Sequence, residues 1–217
     1  MKKFNFSEAE KIVIKLGSSI VTNDGDGLDE KCLSSLIKQI SILNSQNKKV
    51  ILVSSGAIAA GLRKLGVKKR PKVLSELQSA AAVGQMDLVR IYEELFSDNN
   101  LISAQILLTH SDLSDRKRYL NARSTIFNLI KNNVIPVINE NDTVASEEIR
   151  FGDNDSLAAM VANLIEADLL VLLTDQDGLF SSDPRDDNNA KLIRHSYVDD
   201  KNLNDLASGT KSTIGTG

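Results

Sequence analysis

Small and polar residues follow apolar runs at four places in the chain, and their types suit the binding of charged ligands. The four segments are 15–19 (Lys-Leu-Gly-Ser-Ser), 54–57 (Ser-Ser-Gly-Ala), 139–142 (Asn-Glu-Asn-Asp) and 174–178 (Thr-Asp-Gln-Asp-Gly). A glycine beside hydroxyl groups and backbone N–H groups can cradle an anion, because nothing bulky blocks its approach. Lys15 can then place a cation on a phosphate. Taken alone, a lysine before a glycine is more often a solvated loop charge, since surface lysines are far commoner than catalytic ones.

Carboxylates and amides in the second half of the chain extend this chemistry. Asp142 and the segment 153–155 (Asp-Asn-Asp) can bind an ammonium group and orient lysines around a transferring phosphoryl group. The alternative for any one residue of 153–155 is helix capping, because Asp and Asn lead the preferences at helix N-caps. Three polar residues in a row exceed what one cap uses.

Several familiar sites lack support in this sequence. Residues 209–212 (Gly-Thr-Lys-Ser) only partly match the G-x-x-x-x-G-K-[ST] motif, and no G-x-G-x-x-G follows the first apolar run. P-loop NTPases and nicotinamide enzymes therefore lose their main sequence signal. His110 and His195 have no close Cys or His companions, which favours packing or surface roles over a zinc site. Residues 24–27 (Asp-Gly-Asp-Gly) fit a turn better than a calcium loop.

Apolar runs of strand length alternate with patterns of helical spacing, and this alternation predicts the elements that position the polar segments. Strands are predicted at 11–15, 50–53, 102–108, 134–138 and 168–173, and helices at 33–43, 73–96, 117–131 and 155–166. The order predicts an α/β fold, a three-layer sandwich with a mainly parallel central sheet. Ligands of such sheets bind beyond the carboxyl ends of the strands. Gly84 is expected to mark close helix packing, and 144–151 can form a protruding hairpin.

Composition restricts the class of protein. The chain has 217 residues, 41% of them hydrophobic and 25% charged, with a formal net charge of −3; these values predict one folded domain over 1–217. Without a basic stripe, nucleic acid is not an expected partner. The one cysteine, Cys32, falls on the apolar side of a predicted helix, which favours packing in a reducing, cytoplasmic compartment. No apolar run approaches the ~20 residues of a membrane span.

Six segments taken together resemble the amino acid kinase superfamily, most closely its glutamate 5-kinase branch. They are 15–19, 53–61, 81–85, 137–142, 151–155 and 173–179. The first segment is shared across the superfamily, whereas Asn-Glu-Asn-Asp at 139–142 followed by Gly-Asp-Asn-Asp at 152–155 is more specific to the branch. The resemblance implies an amino acid kinase fold and a transferase. Its reaction moves the γ-phosphoryl group of ATP to the side-chain carboxylate of L-glutamate, giving L-glutamyl 5-phosphate in the first step of proline biosynthesis.

The resemblance also implies roles for particular residues. Lys15 would contact the transferring phosphoryl group and Asp155 would orient the catalytic lysines. The implied glutamate-binding residues are Ser55, Gly56, Asp142 and Asn154, and the implied ATP-binding residues are Lys15, Gly17, Ser18, Thr174, Asp175, Thr216 and Gly217. Gly17 and Ser18 would supply backbone donors. Mg²⁺ would be carried on the nucleotide phosphates rather than by protein ligands.

Further implied properties are proline as a feedback inhibitor that overlaps the glutamate site, and a homo-oligomer. The family's glycine-rich block continues past Gly217 to a second lysine, so 1–217 is expected to be an amino acid kinase domain incomplete at its C-terminus and, if it ended there, nearly inactive. No PUA module, which many bacterial members carry, is visible. The nearest alternatives are acetylglutamate kinase, aspartokinase, a uridylate kinase, or a non-catalytic amino-acid-binding module.

Overall fold

The described part of the chain contains five parallel strands, which form one central sheet. The computed structural model describes residues 5–22, 27–145, 154–198, 200 and 203. The strands are β1 (Lys11–Leu16), β2 (Lys49–Val53), β3 (Ile102–Leu108), β4 (Val134–Glu140) and β5 (Leu169–Leu173). Their order is β3-β4-β2-β1-β5, and every neighbouring pair is parallel. Because the strands are parallel, their carboxyl ends lie at one edge of the sheet.

Among the residues described, seven α-helices cover the sheet, preceded by a 3₁₀ turn at Phe6–Glu8. They are α1 (Ser18–Thr22), α2 (Glu30–Ser45), α3 (Ala57–Lys64), α4 (Leu74–Ser97), α5 (His110–Ser114), α6 (Arg116–Lys131) and α7 (Asp155–Ile165). The central strands are rich in Ile, Val and Leu and bury both faces, as parallel strands between two helical layers do. Within the described ranges, no helix is both long and apolar enough to cross a bilayer.

Two apolar cores lie on opposite faces of the sheet, so the predicted three-layer sandwich is confirmed. On one face, Ile12 and Ile14 of β1 share a core with residues of α2, α3 and α4. On the other face, Val13 shares a core with residues of α5, α6 and α7. Helix α2 contributes Leu33, Ile37 and Ile40, at the spacing that places side chains on one side of a helix. Cys32 is only partly buried.

The five predicted strands and four predicted helices are present, with ends that differ by a few residues. The sequence pattern did not predict α1, α3 and α5, of 5, 8 and 5 residues. Segments this short do not show a helical period, and their boundaries depend on caps and turns. The hairpin predicted at 144–151 lies outside the described residues from 146 onward.

Helices α3 and α4 cross in close contact at two glycines. A Cβ atom on Gly84 would lie 1.9 Å from the carbonyl oxygen of Ala57, and one on Gly61 would lie 1.7 Å from that of Ala80. Such separations are impossible for a real side chain, so both positions require glycine. The close packing predicted for Gly84 is confirmed. It holds the start of α3, which follows the polar segment at 54–56, at the carboxyl edge of the sheet.

Candidate active site

The polar segments predicted to meet do lie at one edge of the sheet, because each follows one of four adjacent strands, β4, β2, β1 and β5. An open cleft of about 410 Å³ lies there. Its lining residues are Ser18, Ser55, Gly56, Ala57, Ile58, Ala59, Arg70, Asn139, Glu140, Asp142 and Asn154. The cleft therefore contains five of the residues to which the resemblance gave site roles: Ser18, Ser55, Gly56, Asp142 and Asn154.

Lys15 and Asp155 form an ion pair in which the lysine is buried and the carboxylate is partly exposed. Lys15 lies near the end of β1 and is 5% exposed, and its Nζ is 2.5 Å from Oδ1 of Asp155, the first residue of α7. Burying an ammonium group is costly unless a carboxylate compensates it. The pair thus fixes a positive charge at the strand ends, and the side chain can meet an anion without first being ordered.

Asn154 precedes α7 at the N-cap position, but its side chain does not cap the helix. Its Nδ2 donates to the carbonyl oxygen of Ser54 at 2.5 Å and to Oδ1 of Asn139 at 2.8 Å. The capping alternative is therefore wrong for Asn154. Helix capping was also the alternative for Asp153, but that residue lies outside the described residues.

The turn between β2 and α3 supplies Ser55 and Gly56. Gly56 has a φ of 93°, in the left-handed region that glycine adopts readily, and a Cβ there would lie 2.8 Å from Cγ2 of Thr22. Ser55 is 4% exposed, and its Oγ has no hydrogen-bond partner within the described structure. An unpaired buried hydroxyl is unfavourable, so Ser55 offers an unused donor and acceptor to a ligand in the cleft.

The cleft lining contains both acidic and basic side chains, Glu140, Asp142 and Arg70. Burial and the charge of Glu140 raise the pKa of Asp142 to about 7, while Arg70 acts in the opposite direction. Glu140 is itself buried, with Oε1 at 3.6 Å from Nδ1 of His110. Burial lowers the pKa of the Arg70 guanidinium, and Asp142 opposes that shift. The cleft thus contains both negative and positive groups within a small space.

The sequence did not reveal the roles of four site residues, which are Ser54, Arg70, Asn139 and Glu140. Asn139, Glu140 and Ser54 belong to polar segments that stood out in the sequence, but their burial and partners follow from tertiary packing. Arg70 had no such signal, because it lies among other basic residues in the 68–72 segment. The structure places His110 beside Glu140 and stacks His195 edge-on against Tyr197 at 4.9 Å.

Thr174 and Asp175 follow β5, next to the end of β1. Both are exposed, and Oγ1 of Thr174 donates to Oδ1 of Asp175 at 3.0 Å. The predicted donor role of Gly17 is wrong, because its N–H already donates to the carbonyl oxygen of Leu173 at 2.9 Å. Its lack of a side chain matters instead, since a Cβ would lie 3.2 Å from that oxygen.

The remaining predicted ATP contacts, Thr216 and Gly217, fall outside the described residues. Within the described ranges, no group of three or more His, Cys, Asp or Glu side chains is arranged to hold a metal ion.

The sequence pattern of the Amino acid kinase family matches residues 10–217, so the chain belongs to that family. It is 57% identical to a glutamate 5-kinase of Nitrosomonas eutropha over 217 residues, which are 100% of this chain and 58% of that protein. It is 60% identical to a glutamate 5-kinase of Nitrosospira multiformis over 210 residues, 97% of this chain and 56% of that protein. The chain thus spans somewhat over half the length of these relatives, and the resemblance to the glutamate 5-kinase branch is confirmed.

The fold is also similar to a solved structure of an isopentenyl phosphate kinase in complex with its substrate. The TM-score is 0.61 with 19% sequence identity, and the match covers 84% of this chain and 78% of that one. At this identity the likeness concerns the fold alone.

Proposed function

We propose that this chain forms the acceptor site and part of the phosphoryl-transfer site of a glutamate 5-kinase. The protein would transfer the γ-phosphoryl group of ATP to the side-chain carboxylate of L-glutamate. The observation that carries the proposal is the ion pair of the buried Lys15 with Asp155, at the same sheet edge as a cleft with both acidic and basic lining groups. The identity to glutamate 5-kinases supports the choice of acceptor.

Lys15 is the group that would meet the transferring phosphoryl. Negative charge is spread over the phosphoryl oxygens in the transition state, so a fixed cation stabilises it more than it stabilises bound ATP. Asp155 holds Lys15 in place at 2.5 Å, and such preorganisation avoids a reordering cost during the reaction. A Mg²⁺ ion carried by the nucleotide phosphates and water would neutralise their charge.

The polar groups of the cleft match the two charges of an α-amino acid. Asp142 and the side-chain oxygen of Asn154 can accept hydrogen bonds from an ammonium group. Arg70 and the unpaired hydroxyl of Ser55 can donate to an α-carboxylate. A substrate bound through its ammonium and α-carboxylate groups would direct its side-chain carboxylate toward Lys15 at the end of β1.

The nucleotide would occupy the β5 side of the edge, where the exposed Thr174 and Asp175 follow the strand. Ser18, Thr216 and Gly217 stay predicted ATP contacts. Gly17 stays one as well, because a residue without a side chain would let the nucleotide approach the backbone closely. We further propose a cytoplasmic homo-oligomer that proline inhibits by competing for the amino-acid head site. Proline titrations at several glutamate concentrations test this competition, and inhibition independent of glutamate would reject it.

The test of the proposed function is ADP release by the full-length protein with alternative acceptors. L-Glutamate, N-acetylglutamate, aspartate and UMP separate glutamate 5-kinase from acetylglutamate kinase, aspartokinase and uridylate kinase, and we expect turnover with L-glutamate alone. Calorimetry with glutamate in parallel distinguishes the non-catalytic alternative. Glutamate binding without ADP release in the full-length protein would contradict the kinase assignment and support a binding module.

A further inference from the structure

Three side-chain amides form a continuous hydrogen-bonded chain, which begins in the cleft lining and ends outside it. On α4, Oε1 of Gln85 accepts from Nδ2 of Asn139 at 2.7 Å. Oδ1 of Asn139, on β4, accepts from Nδ2 of Asn154 at 2.8 Å, and Nδ2 of Asn154 also donates to the Ser54 carbonyl at 2.5 Å. The chain therefore joins a helix of one layer, the sheet and the start of α7 in the other layer.

Backbone groups fix the orientation of these amides. The Ser54 carbonyl can only accept, so the Asn154 atom facing it must be the NH₂ group. The Glu140 N–H can only donate, and it reaches the Asn139 side chain at 2.9 Å, so the atom there must be the oxygen. The Asn139 NH₂ group consequently faces Gln85, and its contact is satisfied only by an acceptor.

The same arrangement determines what Asn154 presents to a ligand. Its NH₂ group donates to both Ser54 and Asn139, which uses both hydrogens. The side-chain oxygen is the remaining polar atom, and Asn154 lines the cleft. Asn154 therefore acts as an acceptor, and the ligand group that suits it is a donor such as an ammonium group.

We propose that Gln85 is a positioning residue that sets the acceptor function of Asn154 through Asn139. The proposal rests on the proposed function and extends it to a residue outside the cleft. Gln85 does not line the cleft; it lines a second, partly open pocket whose lining also includes Ser54 and Asn139.

The physical reason lies in burial. Asn139 is 2% exposed and Asn154 6%, so an NH₂ group left without an acceptor carries a full desolvation cost. Without the Gln85 oxygen, the Asn139 NH₂ group loses the acceptor that holds it, and any turn of this amide moves the oxygen that accepts from Asn154. A buried amide chain of this kind is stable only when every member is satisfied.

The test compares two substitutions of nearly equal size. Gln85→Glu keeps an oxygen facing Asn139, whereas Gln85→Met removes it. We expect Gln85→Met to raise the glutamate KM by about tenfold, with the ATP KM and kcat changed less than about twofold, and Gln85→Glu to stay within about threefold of wild type. Gln39→Met, on the exposed side of α2, is the matched control and should behave as wild type.

A second readout separates positioning from a general packing role. Glutarate is glutamate without its amino group, so the ratio of glutarate KM to glutamate KM measures recognition of the ammonium. Gln85→Met should lower this ratio, and thermal unfolding of each variant shows whether the fold is retained. The proposal would be overturned if Gln85→Glu and Gln85→Met raised the glutamate KM equally, or if Gln85→Met left the ratio of the two KM values unchanged.

A crystal structure of ligand-free Gln85→Met tests the positioning without relying on turnover. We expect the contact between Asn139 and Asn154 to lengthen beyond hydrogen-bond distance. An Asn139–Asn154 contact of unchanged length would overturn the inference. If wild-type protein does not phosphorylate glutamate, the proposed function fails while this structural test still decides the role of Gln85. If wild type is active and Gln85→Met is kinetically normal, only the inference fails.

Discussion

The two ends of the sheet edge differ in how firmly their polar groups are held. Around β2 and β4, the side chains of Asn139, Asn154 and Ser54 are buried and hydrogen-bonded to one another or to backbone. At the end of β5, Thr174 and Asp175 are exposed and contact each other. The fold thus fixes the polar groups of the acceptor side before a ligand binds. On the nucleotide side, Thr174 and Asp175 are exposed to solvent instead.

This difference fits the demands of the proposed reaction. A small amino acid offers few atoms for recognition, so its site must place each polar group accurately. A nucleotide offers a base, a sugar and three phosphates, and can bind through many weaker contacts. Lys15 lies between the two sides, since β1 separates β2 from β5, and there accurate placement matters for the chemical step.

The largest effect is expected from Lys15→Ala. Loss of one fixed charge at the transferring phosphoryl group should lower the single-turnover rate by about a hundredfold or more, while nucleotide affinity changes much less. Asp155→Ala should also depress turnover, because Lys15 would lose the carboxylate 2.5 Å away. Lys38→Ala, at an exposed position of α2, is the control. A normal single-turnover rate in Lys15→Ala would remove Lys15 from the mechanism.

Gly84→Ala tests whether the acceptor side depends on the packing of α3 against α4. The added methyl group would lie 1.9 Å from the Ala57 carbonyl, so the helices must separate. We expect a loss of about 1–3 kcal/mol in the free energy of unfolding and a raised glutamate KM, measured by denaturant unfolding and steady-state kinetics. Met86→Ala, at an exposed site on the same helix, should change neither. Unchanged stability in Gly84→Ala would mean that the crossing can relax.

Asp142→Asn should raise the glutamate KM by about tenfold, with a smaller change in the ATP KM, because it removes the charge that faces the ammonium group. Asn154→Ala should act in the same direction. Normal glutamate kinetics in the folded fraction of both variants would remove these two residues from substrate binding.

The pH dependence provides a second measurement on Asp142. The pKa of Asp142 is raised to about 7, so the carboxyl is protonated below that pH and loses its attraction for ammonium. The glutamate KM should therefore rise as pH falls below 7, by at most about tenfold per pH unit, and Asp142→Asn should abolish this dependence. Because the folded state keeps a proton that the unfolded state releases, the contribution of Asp142 to stability should fall as pH rises from about 4 to about 7.

The sequence could predict the sheet and the location of the site, because apolar runs mark buried strands and polar residues mark their ends. It could not predict the short helix α3, whose start depends on the left-handed Gly56 and whose path depends on Gly61. It indicated a binding role for Asn154 but left capping open, since both roles use the same residue type at the same position. Only the positions of Ser54 and Asn139 distinguish them, and those positions result from long-range packing.

The smallest effect is expected from Thr174→Ala, on the nucleotide side. Its hydroxyl is exposed and donates to Asp175, and exposed hydrogen bonds contribute little, since water replaces them. We expect the ATP KM to rise by about two- to fivefold with kcat unchanged, and Thr174→Ser to restore the wild-type value. A fall in the single-turnover rate of Thr174→Ala as large as that of Lys15→Ala would contradict the comparison between the two sides. It would show that the reaction needs the end of β5 to be placed as accurately as the acceptor side.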